Sequence, residues 1–500
     1  MSAKFEELIA AVPNAVLVRP ASDAILDVIY DSRQASPGSC FVCRRGLRSD
    51  GHTYIKEALQ RGATAVVVER SVHVPDGVGL AIVEDGRLAL AALARKFWGN
   101  PDRRLGLVGV TGTDGKTTTA RLISWMLRAY DVGVGESTTV NARVGGQYRS
   151  TKGRLTTPEA PVTAELLYRM VEAGDTWAVV EAASHALELG RVDGFAFNRA
   201  VITNVTHEHL DLHGSLAAYR RAKRSLLDLL ERAPDDMYGR VAVLNADDPV
   251  VARFATGLTS EVLTFGESVN ADVRVQISDS NGGGFVVAGS SPWGNWEGPT
   301  TLRGRWNGMN VAAAVACVGS IVGEVSSGVH HLSKFPPVPG RLQFVDVGQP
   351  FQVVIDFAHT PAALTACLTE LRQRTLGQLL VVFGSAGDQD TQKRPMLGRA
   401  VSTLADLAIV TSEDPRSECP ANIAQSILDG VLDNRAVFET IHERRAAIAR
   451  AFELADPGDL VLLAGKGHER SIAHATYEES WDEAQVVVEL LGTLGYTKSG

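Results

Sequence analysis

The segment Leu105–Thr119, LGLVGVTGTDGKTTT, constrains the fold more than any other part of this 500-residue chain. Leu107 to Val110 form a short apolar run of the kind that makes a buried strand. Glycines at 109, 112 and 115 loosen the turn, and Lys116-Thr117-Thr118-Thr119 opens a segment with helical spacing at Leu122, Trp125, Met126 and Leu127. This order is the layout of a phosphate-binding loop. Backbone N–H groups and a helix N-terminus face an anion, a lysine adds a point charge, and the adjacent hydroxyl can hold Mg²⁺. The strict nucleotide-loop pattern places glycine six residues before the lysine, where this chain has Val110 with Gly109 one further back, so the loop is a variant. A plain glycine turn joining strand to helix is the competing reading, and the order of elements weighs against it.

Strands and helices alternate on both sides of this loop. Up to about residue 97, apolar runs at Ala24–Ile29, Cys40–Val42, Thr64–Val68 and Gly79–Val83 alternate with helical spacing at Ile55–Leu59 and Leu88–Phe97. From about 104, strands are expected at Trp177–Glu181, Ala200–Thr203 and Val241–Asn245, with helices at Pro161–Ala173 and Leu216–Glu231 and a hairpin excursion near Asn281–Gly298. Beyond the proline-rich 336–340, strands at Phe351–Asp356, Leu379–Phe383, Leu407–Thr411 and Leu460–Ala464 alternate with helices at Pro361–Arg374, Asn422–Leu432 and Glu443–Glu453. The expected fold is α/β in three domains: a small N-terminal α/β unit (1–98), a central doubly wound, mostly parallel sheet of phosphate-loop type (99–335) and a C-terminal Rossmann-like unit (336–500).

Composition narrows the function classes. A formal net charge of −9 without long runs of one sign gives no nucleic-acid or anionic-membrane surface. No apolar run approaches the ~18 residues of a membrane span, and the acidic N-terminus lacks a signal-like apolar stretch, so a cytoplasmic protein is expected. The five cysteines are scattered, and Cys40 and Cys43, a CxxC without a second pair, read as buried thiols rather than a zinc site.

Ligands of open α/β sheets gather at the carboxyl ends of strands, and that is where this chain concentrates its polar motifs. EAASH (181–185) and NVTHEHLDLHG (204–214) follow two central strands. Glu181, His209 and Asp211, with Thr117 and nucleotide phosphates, are suitable donors for one or two Mg²⁺ ions, although any one of His207, His209 and His213 taken alone reads as a surface or capping residue. In the last unit GSAGDQDTQKRP, SEDPRSECP and GKGHE end three strands. Lys393 and Arg394 there either cover a transferring phosphate or are ordinary solvated charges.

The ordered set GTDGKTT, TTPE (156–159), EAASHAL (181–187), ITNVTHEHLDLHG (202–214), YRRAK (219–223), NADD (245–248), GRWNGMN (304–310), PGRLQ (339–343), DFAHTP (356–361), GDQDTQKRP (387–395), EDPR (413–416) and GKGHE (465–469) resembles the Mur ligases. Within them it looks like the MurE type, which adds the third amino acid to UDP-N-acetylmuramoyl-L-alanyl-D-glutamate. The N-terminal stretch 30–63 is similar to that type's uridine-nucleotide domain. Folylpolyglutamate and cyanophycin-type ligases of the same superfamily, and a nucleotide-binding partner subunit without ligase activity, are the alternatives.

The resemblance implies an ATP-dependent ligation in peptidoglycan precursor synthesis, in which the dipeptide carboxylate is phosphorylated to an acyl phosphate and an amine displaces the phosphate. It assigns Gly112, Thr113, Asp114, Gly115, Lys116, Thr117 and Thr118 to the phosphates. Asn307, Asn310, Arg341, Asp356 and His359 fall around the rest of the nucleotide. Mg²⁺ would be held by Thr117, Glu181, His209 and Lys223, the last as a carbamate, and Lys116, Glu181, His209 and Lys223 would be the catalytic set. Lys223 read without the family is a solvent-facing lysine on its helix. Ser32 and Arg33 match the uridine-nucleotide motif, and Thr156, Thr157, Ser184 and Arg191 the muramoyl-dipeptide site. Gln389, Asp414, Arg416, Gly465 and Glu469 surround the incoming diamino acid, and a monomer is expected.

Enzymes of this type that use meso-diaminopimelate carry GDRD and DNPR, whereas this chain has Gln389 and Glu413-Asp414-Pro415-Arg416. Loss of an arginine and gain of a carboxylate favour a terminal ammonium, so L-lysine or L-ornithine is preferred, with Arg416 pulling toward diaminopimelate.

Overall fold

A computed structural model describes residues 1–46, 49–149, 155–206, 210–279, 284–432 and 436–496. The phosphate-loop strand, Gly106–Thr111, is buried throughout and lies inside an eleven-stranded sheet, with Trp177–Glu181 and Arg199–Ile202 as its parallel neighbours. Its side chains alternate between two cores. Val108 and Val110 pack with Ile123, Met126 and Val311 from the helices Lys116–Arg128 and Asn307–Val322, whereas Leu107 packs with Leu167, Leu226 and Leu230 from Ala160–Glu172 and Leu216–Arg232. A sheet covered on both faces needs continuous apolar strands, and this explains the apolar runs seen in the sequence.

Chain direction opens a crevice at the loop. From Gly106–Thr111 the chain runs out to Val134–Ser137, returns to Trp177–Glu181 between them, and crosses to Arg199–Ile202 on the opposite side. Strand order reverses there, and the carboxyl ends of three strands surround one gap. Beyond Arg199–Ile202 the sheet continues through the parallel Val241–Asn245, Glu261–Gly266 and Val273–Asp279. The excursion expected near 281–298 is an antiparallel extension of the same sheet, Phe285–Ser291 and Gly294–Thr300, with 280–283 outside the described residues.

Two smaller sheets flank the central one. The N-terminal five strands include four parallel ones and the antiparallel edge strand Val16–Arg19, and they bury Cys40 and Cys43, with burial pushing the Cys40 thiol up to about 12. The C-terminal six include five parallel strands ending at Asp356, Ala464, Phe383, Val410 and Thr440. Residues 98–102, at the boundary between the first two units, are firmly seated. Trp98 packs on Phe97 and Tyr168 at 5.4 and 5.1 Å, and buried Asp102 accepts from Arg95 at 2.8 Å and from the Ala196 N–H at 3.0 Å.

Candidate active site

The phosphate loop is held open by backbone that only glycine tolerates comfortably. Gly112 has φ +154° and faces Thr203 Oγ1 so closely that any Cβ would overlap it; Gly115, at φ +85°, caps the helix Lys116–Arg128 against Asn310. Side chains from the next strand lace the loop in place. Asn204 accepts from the Asp114 N–H at 2.9 Å and donates to Asp114 O at 3.1 Å, while Thr203 Oγ1 donates to the same carbonyl at 2.6 Å. Thr203 and Val205 are pinned in turn, by Asn245 Nδ2 at 2.7 Å and Asp248 Oδ2 at 2.7 Å. Two lysines converge on this frame. Lys116 Nζ donates to Gly112 O and Thr113 O at 3.0 and 2.7 Å, and Lys223 Nζ donates to Gly112 O at 2.6 Å while lying over the Tyr219 ring. A helix N-terminus and two ammonium groups make this end of the crevice strongly suited to anions.

The second wall comes from the strand Trp177–Glu181. Glu181 is wholly buried, and its carboxylate accepts from the Thr139 N–H at 3.0 Å and the Thr139 hydroxyl at 2.9 Å. Thr157 ties the wall together, donating to Glu181 O at 2.6 Å and accepting from the Ala183 N–H at 3.0 Å. Thr156, Ser184 and Arg191 stand in front of it.

The C-terminal sheet supplies the third wall. Arg341 reaches the first turn of the loop helix, 3.4 Å from Thr117 Oγ1, and stacks over Phe357 at 4.5 Å. Asp356, at the end of its strand, accepts from the N–H groups of Leu342 and Ala358 at 2.6 and 2.8 Å; burial nevertheless raises its carboxyl above the usual range. His359 Nδ1 lies 2.8 Å from Phe357 O. His468, behind Phe357, is pushed down to about 3, first by burial and then by Arg341, Lys466, Arg470 and His359.

These walls enclose a cleft of about 1010 Å³. Thr113 to Thr118, Lys223, Thr156, Ser184, Arg191, Asn307, Asn310, Arg341, Asp356, His359, Gln389, Asp414, Arg416 and Glu469 all line it. Gly112, Thr157, Glu181 and Gly465 form the frame immediately behind that surface. Ser32 and Arg33 sit instead in a 3₁₀ turn of the N-terminal unit, where Ser32 Oγ donates to Glu57 at 2.9 Å and exposed Arg33 pairs with Asp31 at 2.7 Å. His207, Glu208 and His209 lie outside the described residues. Among the described residues no three His, Cys, Asp or Glu side chains form a metal cluster.

Known proteins share both the sequence and this architecture. Residues 25–102 match the model "Mur ligase family, catalytic domain", 110–318 the "Mur ligase middle domain" and 340–467 the "Mur ligase, glutamate ligase domain". The UDP-N-acetylmuramyl-tripeptide synthetase of Roseiflexus sp. (strain RS-1) is 43% identical over 494 residues, spanning 95% of this chain and 96% of that one. The chain belongs to the Mur ligase family. A second relative, the UDP-N-acetylmuramoyl-L-alanyl-D-glutamate--2,6-diaminopimelate ligase of Geobacillus thermodenitrificans, is 38% identical over 93% of this chain and 94% of its own. A solved structure of a UDP-N-acetylmuramoyl-L-alanyl-D-glutamate--2,6-diaminopimelate ligase superposes with a TM-score of 0.65 at 28% identity, covering 99% of this chain and all of the other.

Within this Mur ligase the structure corrects three readings of the sequence. Lys223 is not solvent-facing: it is 1% exposed beneath the phosphate loop. Arg394 is not poised over a transferring phosphate, because its guanidinium is buried and forked onto Glu418 at 2.8 and 2.9 Å. Asp414 does not face the cleft as a lone carboxylate. Its Oδ1 already accepts from the fully buried Lys466 Nζ at 2.9 Å, an ammonium it shares with Glu469, and from the Ala473 N–H at 2.8 Å. Lys466 and Asn204 were missed as organisers of the site, although both sit inside quoted motifs, GKGHE and ITNVTHEHLDLHG. Arg444 carried no motif signal; wholly buried, it pairs with Glu483 at 2.5 Å and donates to Ala464 O at 3.0 Å, bracing the end of that strand.

Proposed function

We propose that this Mur ligase joins a diamino acid to UDP-N-acetylmuramoyl-L-alanyl-D-glutamate with ATP as the energy source, in cytoplasmic assembly of the peptidoglycan precursor. One observation carries this reading: the phosphate loop faces the C-terminal sheet edge across a single cleft, with Arg341 already at the first turn of the loop helix. The loop N–H groups and Lys116 hold the triphosphate, and Arg341 neutralises charge on the transferred phosphoryl group. Thr156, Ser184 and Arg191 hold the dipeptide so that its free carboxylate meets that group. The amine then arrives from the third wall, past Gln389, Arg416 and Glu469, and displaces the phosphate. Ser32 and Arg33 take the uridine nucleotide, and the functional division of the chain falls at 98/99 and 335/336.

The residues at the loop fit Mg²⁺. Thr117 and Glu181 are oxygen donors of the hard type at adjoining strand and helix ends, and bound Mg²⁺ would neutralise phosphate charge there. Lys223 as an ammonium has no lone pair to offer, but once its Nζ has lost a proton, addition of CO₂ to the neutral amine with release of a second proton would replace a buried cation by a carbamate whose oxygens are donors beside the loop.

The incoming amino acid is best read as 2,6-diaminopimelate. Lys466 already engages Asp414 and Glu469, which weakens the electrostatic case for lysine or ornithine, while Arg416 stands in the cleft to receive a distal carboxylate and relatives named for the 2,6-diaminopimelate ligase match over most of the chain. The test is product mass and ADP release with the UDP-muramoyl dipeptide and each diamino acid in turn. Turnover with diaminopimelate is expected; silence with all three amino acids, or turnover only with folate and glutamate, defeats the reading.

A further inference from the structure

Glu159 ends the TTPE motif and immediately precedes the helix Ala160–Glu172. Its side chain is 7% exposed and divides its two oxygens between two units of the molecule. Oε1 accepts from Arg191 Nε at 3.0 Å, and Oε2 accepts from Arg44 Nη1 at 2.8 Å. Arg44 belongs to the N-terminal unit, just past the strand Ser39–Val42, and its guanidinium lies 4.5 Å over the Tyr30 ring. Arg191 donates from Nη1 to Thr157 O at 3.3 Å and lines the cleft beside Thr156 and Ser184.

Without this carboxylate two guanidinium groups, with side chains only 20% and 11% exposed, would face each other uncompensated. Arg191 is thus held by the same carboxylate that Arg44 engages from the N-terminal unit. We propose that Glu159 is a positioning residue that links seating of the N-terminal unit to the hold of Arg191 on an acidic substrate. Glu159 does not touch the substrate. It transmits, through one salt-bridge pair, whether the unit that takes the nucleotide end is in place when the peptide end binds. The proposal rests on the reading that Arg191 faces the muramoyl dipeptide.

The test compares wild type, Glu159→Gln, Arg44→Met and the double variant by calorimetric binding of the UDP-muramoyl dipeptide and, separately, of a non-hydrolysable ATP analogue, with wild-type turnover measured alongside. Expected is a roughly tenfold weaker dipeptide affinity in either single variant, no further loss in the double variant, and unchanged affinity for the ATP analogue. Unchanged dipeptide affinity in both singles, equal weakening toward the ATP analogue, or losses that multiply in the double variant would overturn it. If Glu159→Gln does not fold, Arg44→Met alone carries the comparison, since its side chain lies nearer solvent. Wild type that binds the dipeptide but never turns over defeats the ligase reading and leaves this one standing; wild type that does not bind it defeats both.

Discussion

At the scale of single residues, the electrostatics of the cleft turn on lysines that the sequence presents as interchangeable. Lys116 and Lys223 share one acceptor, Gly112 O, yet the first sits at the opening of the loop helix and the second is sealed beneath the loop. If Lys223 acts as a carbamate, Lys223→Arg keeps the cation and still lowers kcat by roughly 10²-fold or more, because an arginine cannot supply the oxygens; retention of activity would assign it a purely cationic role. Lys466 is the counterpart in the third wall, with Asp414 at 2.9 Å and Glu469 at 2.5 Å. Asp414→Asn should therefore lower stability by only about 1.5 kcal/mol, measured by denaturant unfolding, because Glu469 still compensates Lys466, while leaving the preference among diamino acids unchanged. A switch toward or away from lysine in that variant would restore the role first read from the sequence. His468 gives a pH signature. Its folded value near 3 lies below the ordinary 6.5, so between those values the unfolded chain binds a proton that the native ring refuses. Stability should fall as pH drops from 6.5 toward 3 and be indifferent to this residue above 6.5. His468→Gln should flatten that part of the profile in thermal melts recorded across the range.

At the scale of elements, the phosphate loop shows why local geometry governs the site. Gly115 holds a left-handed conformation that costs other residues about 1–2 kcal/mol, and its missing Cβ is the space that Asn310 occupies. Gly115→Ala should both lower the melting temperature and raise KM for ATP, visible in the same preparation; an unchanged KM would separate the loop from the nucleotide. Legibility also varied by element. Helix Pro361–Arg374 was read to the residue, since Thr360 caps it and its proline occupies the first turn. Val16–Arg19 escaped notice because it is an exposed edge strand without alternation, and Val134–Ser137 because two of its four buried residues are Glu136 and Ser137. Helix Lys393–Leu404 was missed although Pro395 lies in its tolerant first turn; Gly398 argues against helix locally, and packing of Leu397 and Val401 against the core overrides it.

At the scale of the molecule, the third wall belongs to a different sheet from the phosphate loop, and the cleft of about 1010 Å³ lies between them. Arg341 reaches across it to Thr117 at 3.4 Å. Addition of an ATP analogue together with the muramoyl dipeptide should draw the walls together, seen as a smaller radius of gyration in X-ray scattering, and Arg341→Ala should weaken that contraction. No contraction with both ligands bound would mean that the cleft is already in its working form. The sequence by itself determined the alternation of strands and helices, the phosphate loop, and the strand-end positions of nearly every polar motif, because apolar periodicity and glycine placement are local properties written residue by residue. Only the tertiary structure decided which charges remain for a ligand. Lys223, Arg394 and Asp414 look alike as solvated charges in a string of letters, and whether each meets a loop carbonyl, a glutamate or a buried lysine depends on residues 24 to 111 positions away.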